Sequence, residues 1–541
     1  MIQLDLADIQ GNIHRPYGRF GFPHSRHLFF NIAAAAAGRR FVQGVRPRVT
    51  TAEPWEKYEG PDGVTLLRKP PITLNIGFTF LGLHALDLPT RTLRLLPDEF
   101  IDGMGCRADI LGDVGASAPD RWDPVWRYGP EARQGQVHVW VSLNVGANPD
   151  GSPLPVLEEW TGWLQGLAKK SGAVTLLGGH GCDGSALWQD STAIMAPQPD
   201  GSKRPVPKEH FGFTDGISDP VFRGQFGPDA EALAAKGGGK IAEGPYDETT
   251  SWSALETGEF ILGHVDEGQE FPVATEPQSF VRNGTFMAWR KLRQDVEGFD
   301  ADIARQAKLW MQVNGTSDIE EAEETVRAKI VGRWSSGIPL LAAPTYADDR
   351  RLVAEFADCI EISLRKPRDS KEQQRLAEYA RLLSSFRYGD DIDGAKCPLG
   401  AHIRRANPRD MLDPEISPTK GSSTLTNRRR ILRRGLPYQD AGGERGVVFM
   451  VLCASLFRQF EFIQQQWMNY GLDFDAGNDT CPLIGNRAQS DKHVIPAGPA
   501  SDSPFVAAGL PEFVTTRGGD YFFLPSLNAI RMIAMGTTDP T

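Results

Sequence analysis

Two short stretches of this chain hold residue types able to carry chemistry. The first, CPLGAHIRRANPRD from Cys397 to Asp410, places His402 in a strongly basic setting, and a second arginine cluster, RRRILRRGLPY from Arg428 to Tyr438, follows it. A neutral imidazole is the commonest metal ligand. The chain has ten histidines, so residue type alone leaves His402 open to an ordinary hydrogen-bonded role. The second stretch, HFGFTDGISDPVF from His210 to Phe222, sets Asp215 among glycines. A carboxylate on such a loop can project into a cavity, and the ordinary alternative is an Asx turn, which Asp219 before Pro220 fits better. Together the two stretches offer a metal ligand, a proton carrier and fixed positive charge.

These stretches resemble the dye-decolourising peroxidases, a family of haem enzymes. The GxxDG signature runs from Gly212 to Gly216, and the histidine segment is AHIRRANPR from Ala401 to Arg409. DIQGNI near the start, NGTFMAWRKLRQDV from Asn283, ILRRGLPY from Ile431 and RGGDYFFLPSL from Arg517 are also similar to family segments. They come in order, so the resemblance spans almost the whole chain and fits the longer members. It implies an α+β fold of two ferredoxin-like domains, with haem b held mainly by the C-terminal one. The implied activity is reduction of hydrogen peroxide with oxidation of aromatic compounds and dyes, through a ferryl-oxo porphyrin-radical intermediate. A haem-binding or iron-releasing protein of the same fold, without peroxidase turnover, is the alternative.

The resemblance also distributes roles. His402 becomes the proximal ligand, Asp215 the distal acid–base residue and Arg433 the distal cation, with the adjacent Arg434 the competing register. An arginine suits that place because it stays protonated and presents a planar fork. A proximal histidine usually donates its other ring N–H to a carboxylate; Asp479 in GNDTCPLIG is the expected partner and Glu512 the second choice. Val447 and Phe449 alternate on a predicted strand and wall the distal pocket in this reading, with core packing the alternative. Arg404, Arg405 and Arg409 supply nearby cations for the haem propionates, with salt bridging to other elements the alternative. Tyr438 is a candidate electron relay for bulky substrates, against an ordinary buried hydrogen-bonding role.

The elements that must position these residues are readable in outline. GVVFMVLCAS from Gly446 predicts a buried strand and SLFRQFEFIQQQWMNYG an amphipathic helix burying Leu456, Phe460, Ile463 and Trp467. QVHVWVSLNV from Gln136 alternates as a strand, and VLEEWTGWLQGLAKKSG from Val156 has helical spacing with Gly172 as its stop. The charges of DIEEAEETVRAKIVGRW read as a solvated helix face. AVTLLGGHGCDG carries GxGxxG at Gly179, Gly181 and Gly184, but no apolar-periodic helix follows, so a plain loop is expected rather than a dinucleotide turn. Glycine, proline and aspartate dominate from about residue 198 to 247. An N-terminal domain over 1–245, carrying the GxxDG loop near its end, and a C-terminal haem-binding domain over 246–541 are therefore expected.

At 541 residues the chain can bury more than one core. Its net charge of −11 argues against nucleic acid and for solubility and cationic small molecules. No apolar window reaches membrane-spanning length, and no secretory or twin-arginine signal stands at the N-terminus. Six scattered cysteines without CxxC spacing suit free thiols in a reducing cytoplasm. A homo-oligomer stays open.

Overall fold

β-Branched and aromatic runs from both halves of the chain build one antiparallel sheet. Its principal strands are β1 (His24–Ile32), β2 (Ile72–Phe78), β3 (Val139–Val145), β4 (Val174–Leu176), β5 (Thr285–Gln294), β6 (Leu432–Arg434), β7 (Arg445–Cys453) and β8 (Val514–Leu524). They lie in the order β6-β7-β5-β8-β2-β3-β1-β4. The N-terminal strands thus occupy one side and the C-terminal strands the other, meeting where Phe523 of β8 pairs with Phe78 of β2. Helices pack against this sheet in the expected α+β arrangement with two ferredoxin-like halves. The computed structural model describes residues 3–59, 65–127, 136–243, 250–272, 274–364, 368–488 and 490–539. The expected domain boundary between residues 245 and 246 lies outside the described residues. Among the described residues, no helix is long and apolar enough to cross a membrane.

Helix α1 (Val156–Ser171) buries Leu157, Leu164 and Ala168 and ends at Gly172, whose φ of 93° is a conformation glycine adopts without strain. Helix α2 (Ile319–Val331) buries Ala322, Val326 and Ile330. Lys329 departs from the solvated-face expectation: it is buried and donates to the carbonyls of Ala395 and Lys396. Residues 456–468 do bury Leu456, Phe460, Ile463 and Trp467, but as two π-helical segments, Leu456–Glu461 and Ile463–Met468. The wider turns accompany burial of two polar residues: Gln459 donates to the carbonyls of Glu259 and Arg430, and Glu461 pairs with Arg107 at 2.7 Å. The GHGCDG segment is a loop closed by a His180–Ala186 bridge, leading into a strand at Gln189–Thr192.

Period-two alternation on the C-terminal strands is what aims side chains at the site. In register, Arg290 and Leu292 of β5 face Phe449 and Val447 of β7, and Arg433 of β6 faces Val451. Directly paired residues share a sheet face. Arg433, Phe449, Val447, Arg290 and Leu292 therefore stand on one face, while Val448 between them packs into the core.

Candidate active site

That sheet face forms part of a cavity of about 720 Å³, which Asp215, His402 and Ile403 also line. The volume is within the ~300–1,000 Å³ typical of cofactor and small-molecule sites.

Asp215 reaches the cavity from a loop whose shape is fixed by neighbouring backbone. Gly212 and Gly216 take φ of 92° and 78°, which only glycine adopts cheaply. The Asp215 amide donates to the carbonyl of Pro207 at 2.8 Å, and Gly216 N–H donates to Asp215 Oδ1 at 2.6 Å. Glu209 holds the loop from beneath: its carboxylate accepts the amides of Phe211 at 2.9 Å and Phe213 at 2.8 Å. Burial lifts the Glu209 pKa despite those bonds. Arg433 meets Asp215 with both ends of its fork, Nη1 to Oδ1 and Nη2 to Oδ2 at 2.6 Å. Burial alone would draw the Arg433 pKa down, but Asp215 raises it above the ordinary guanidinium value, so the cation is fixed. Its guanidinium carbon lies 5.7 Å from the ring centre of Phe449. Arg434, on the other face of β6, pairs with Asp219 at 2.9 Å and donates to the carbonyls of Asn12 and Ile13.

His402 opens a short helix, α3 (His402–Ala406). Its Nδ1 lies 3.3 Å from Cys481 Sγ, which leaves Nε2 as the nitrogen for a metal. Burial pushes the Cys481 thiol up, but His402 and then Arg405 outweigh it and bring it down to about 7. Two expectations are corrected here. Asp479 does not partner His402: its carboxylate accepts from Ser490 at 3.1 Å and lies 3.5 Å from Lys492, so it is turned away. Arg404 is not available to propionates: it is fully buried, pairs with Asp391 at 3.0 Å and donates to the carbonyls of Cys397 and Asp391. Arg405 is likewise engaged by the carbonyls of Gly400, Trp467, Tyr470 and Asp479. Glu512 lines the cavity but accepts from Ser117 Oγ at 3.1 Å.

Arg409 belongs to a different group. It donates to the carbonyl of Phe386 and lies 3.4 Å from Ser218 Oγ, and Arg333 and Arg430 likewise donate to backbone carbonyls. None of the three forms an ion pair among the described residues. Burial draws Arg333 and Arg409 down to about 10 and Arg430 to about 9, and Arg409 depresses the other two further. Buried, mutually repelling cations without carboxylates are costly unless a bound anion answers them. Arg333, Arg430 and Ser218 line the cavity, so this cluster fits a cofactor carrying acid groups. With a free imidazole nitrogen in the same cavity, the donor set fits haem.

Tyr438 is buried; its hydroxyl donates to Glu444 at 3.1 Å, and the Lys291 ammonium lies 4.7 Å from its ring centre. Sequence reasoning missed Glu209, Cys481 and Arg333. Glu209 stands immediately before the HFGFTDG stretch, and Cys481 lies inside GNDTCPLIG, so both had local signals; Arg333 had none.

No family model matches the chain. Peroxidase 2 of Mycetinis scorodonius is 26% identical over 563 residues, covering 98% of this chain and 88% of that protein. A dye-decolorizing peroxidase of Mycena epipterygia is 25% identical over 574 residues, covering 98% and 87%. Among solved structures, an ancestral D-type dye decolorizing peroxidase shares the fold with a TM-score of 0.68, covering 98% of this chain and 99% of that one at 22% identity.

Proposed function

We propose that this chain, which belongs to the dye-decolourising peroxidase family, is a haem peroxidase that reduces hydrogen peroxide and oxidises aromatic compounds, anthraquinone dyes among them. The observation that carries the reading is the convergence on one cavity of His402 and the Asp215–Arg433 pair.

Haem b, when bound, supplies the iron at which peroxide is reduced and through which electrons from the aromatic donor pass. His402 would hold it through Nε2, while Arg333, Arg409 and Arg430 would answer its propionates. Asp215 would carry a proton from one oxygen of peroxide to the other through its carboxylate, preparing the second oxygen to leave as water. Arg433 keeps the carboxylate aimed and offers N–H donors where negative charge develops. Val447 and Phe449 keep that part of the cavity apolar, where such contacts are strongest. All six cysteines are free thiols and Cys106 and Cys182 are exposed, which suits a cytoplasmic setting.

Haem-loaded protein is expected to bleach an anthraquinone dye only when hydrogen peroxide is present. Haem uptake without peroxide-dependent bleaching would overturn the reading and favour a haem-binding or iron-releasing role.

A further inference from the structure

We propose that Cys481 is the hydrogen-bond acceptor that orients His402 and tunes its electron donation, in the place where a carboxylate was expected. The inference rests on the reading of His402 as the haem ligand. Cys481 Sγ lies 3.3 Å from His402 Nδ1, within reach of an N–H···S bond. When Nε2 carries a metal, the neutral ring keeps its proton on Nδ1, so the imidazole donates and the sulfur accepts.

The sulfur is held in place by the backbone around it. The Cys481 amide donates to the carbonyl of Met468 at 2.7 Å, and its own carbonyl accepts from Gly485 at 2.9 Å and from Arg487 at 3.0 Å. Arg405, on the same helix as His402, donates to the carbonyl of Asp479 at 2.9 Å, tying the loop that carries the sulfur to the helix that carries the imidazole. The Asp479 carboxylate is meanwhile engaged by Ser490 and Lys492. With the ring neutral, the His402 charge that draws the thiol down is absent, and a thiol sulfur is a weaker acceptor than an ionised carboxylate. It draws the Nδ1 proton away less, so His402 donates less electron density to a metal than it would beside aspartate.

The test compares haem-loaded wild type with Cys481→Asp, Cys481→Ser and Cys481→Ala. Two readouts are taken: the midpoint potential of the ferric/ferrous couple and the iron–histidine stretching frequency of the ferrous form. Cys481→Asp is expected to shift the potential negative and raise the frequency, and Cys481→Ser to do the same by less. Cys481→Ala is expected to shift the potential positive and lower the frequency. The sign of any one variant that folds therefore tests the proposal. Potentials and frequencies equal to wild type, with the histidine-ligated Soret band retained, would overturn it. Absence of an iron–histidine band in wild type would instead overturn the ligand reading, and this inference with it.

Discussion

An Arg-Arg pair follows the candidate ligand on helix α3, and another lies on strand β6 beside the candidate acid–base residue. Arg404 and Arg405 are both 0% exposed and bind Asp391 and backbone carbonyls. Arg433 and Arg434 part company: the Arg433 side chain is 30% exposed and faces Asp215 in the cavity, whereas Arg434 is 4% exposed and pairs with Asp219. Strand alternation sends neighbours to opposite faces, while an embedded short helix has no solvent face to offer either. The role of an arginine is thus decided by the element beneath it and not by its place in a basic run.

The sharpest way to break this comparison is to remove the cavity pair. Asp215→Asn and Arg433→Leu should each slow peroxide reduction by about 10²–10⁴-fold, the range for a positioned acid–base group, while haem still binds. Stopped-flow mixing with hydrogen peroxide checks this, and a change below threefold in both would sink the assignment. Arg434→Leu should act on stability, costing about 3–5 kcal/mol because Asp219 loses its buried partner. Urea unfolding measures that cost; a rate defect matching Arg433→Leu without destabilisation would reverse the register. Arg404→Met removes the partner of buried Asp391 and should cost a similar ~3–5 kcal/mol, loosening the helix that presents His402.

A separate test concerns the buried histidines. His27, His180 and His493 are lowered to about 3 and His14 to about 4, in each case chiefly by burial. Each is neutral in the fold and gains a proton on unfolding below its ordinary value. Their contribution is complete above about pH 6.5 and is lost progressively as pH falls toward about 4 for His14 and about 3 for His27, His180 and His493. Urea midpoints should therefore be lower at pH 5 than at pH 7, and equal midpoints would show that these rings are not neutral in the fold.

Much of the sheet was legible because its strands are long apolar runs, and the meeting of His402, Asp215 and Arg433 in one cavity because each sits in a compact motif. The π-helical turns at 456–468 were not, since the same apolar spacing suits an ordinary helix and only the buried partners of Gln459 and Glu461 distinguish the two. Asp479 and Cys481 are two positions apart, and sequence adjacency does not report which side chain turns toward the imidazole. A carboxylate was expected there, but Ser490 and Lys492 hold it elsewhere. Arg333 was invisible because its partners in the cationic cluster, Arg409 and Arg430, are distant in sequence and brought near only by folding.

The most direct test of the central claim is the absorption spectrum of purified, haem-loaded protein before and after stoichiometric hydrogen peroxide, for wild type and His402→Ala. The expected result is a Soret band that shifts on peroxide addition in wild type and is lost or strongly altered in the variant. Failure of the wild type to take up haem, or a His402→Ala spectrum identical to wild type, would contradict the assignment of His402 and the site built around it.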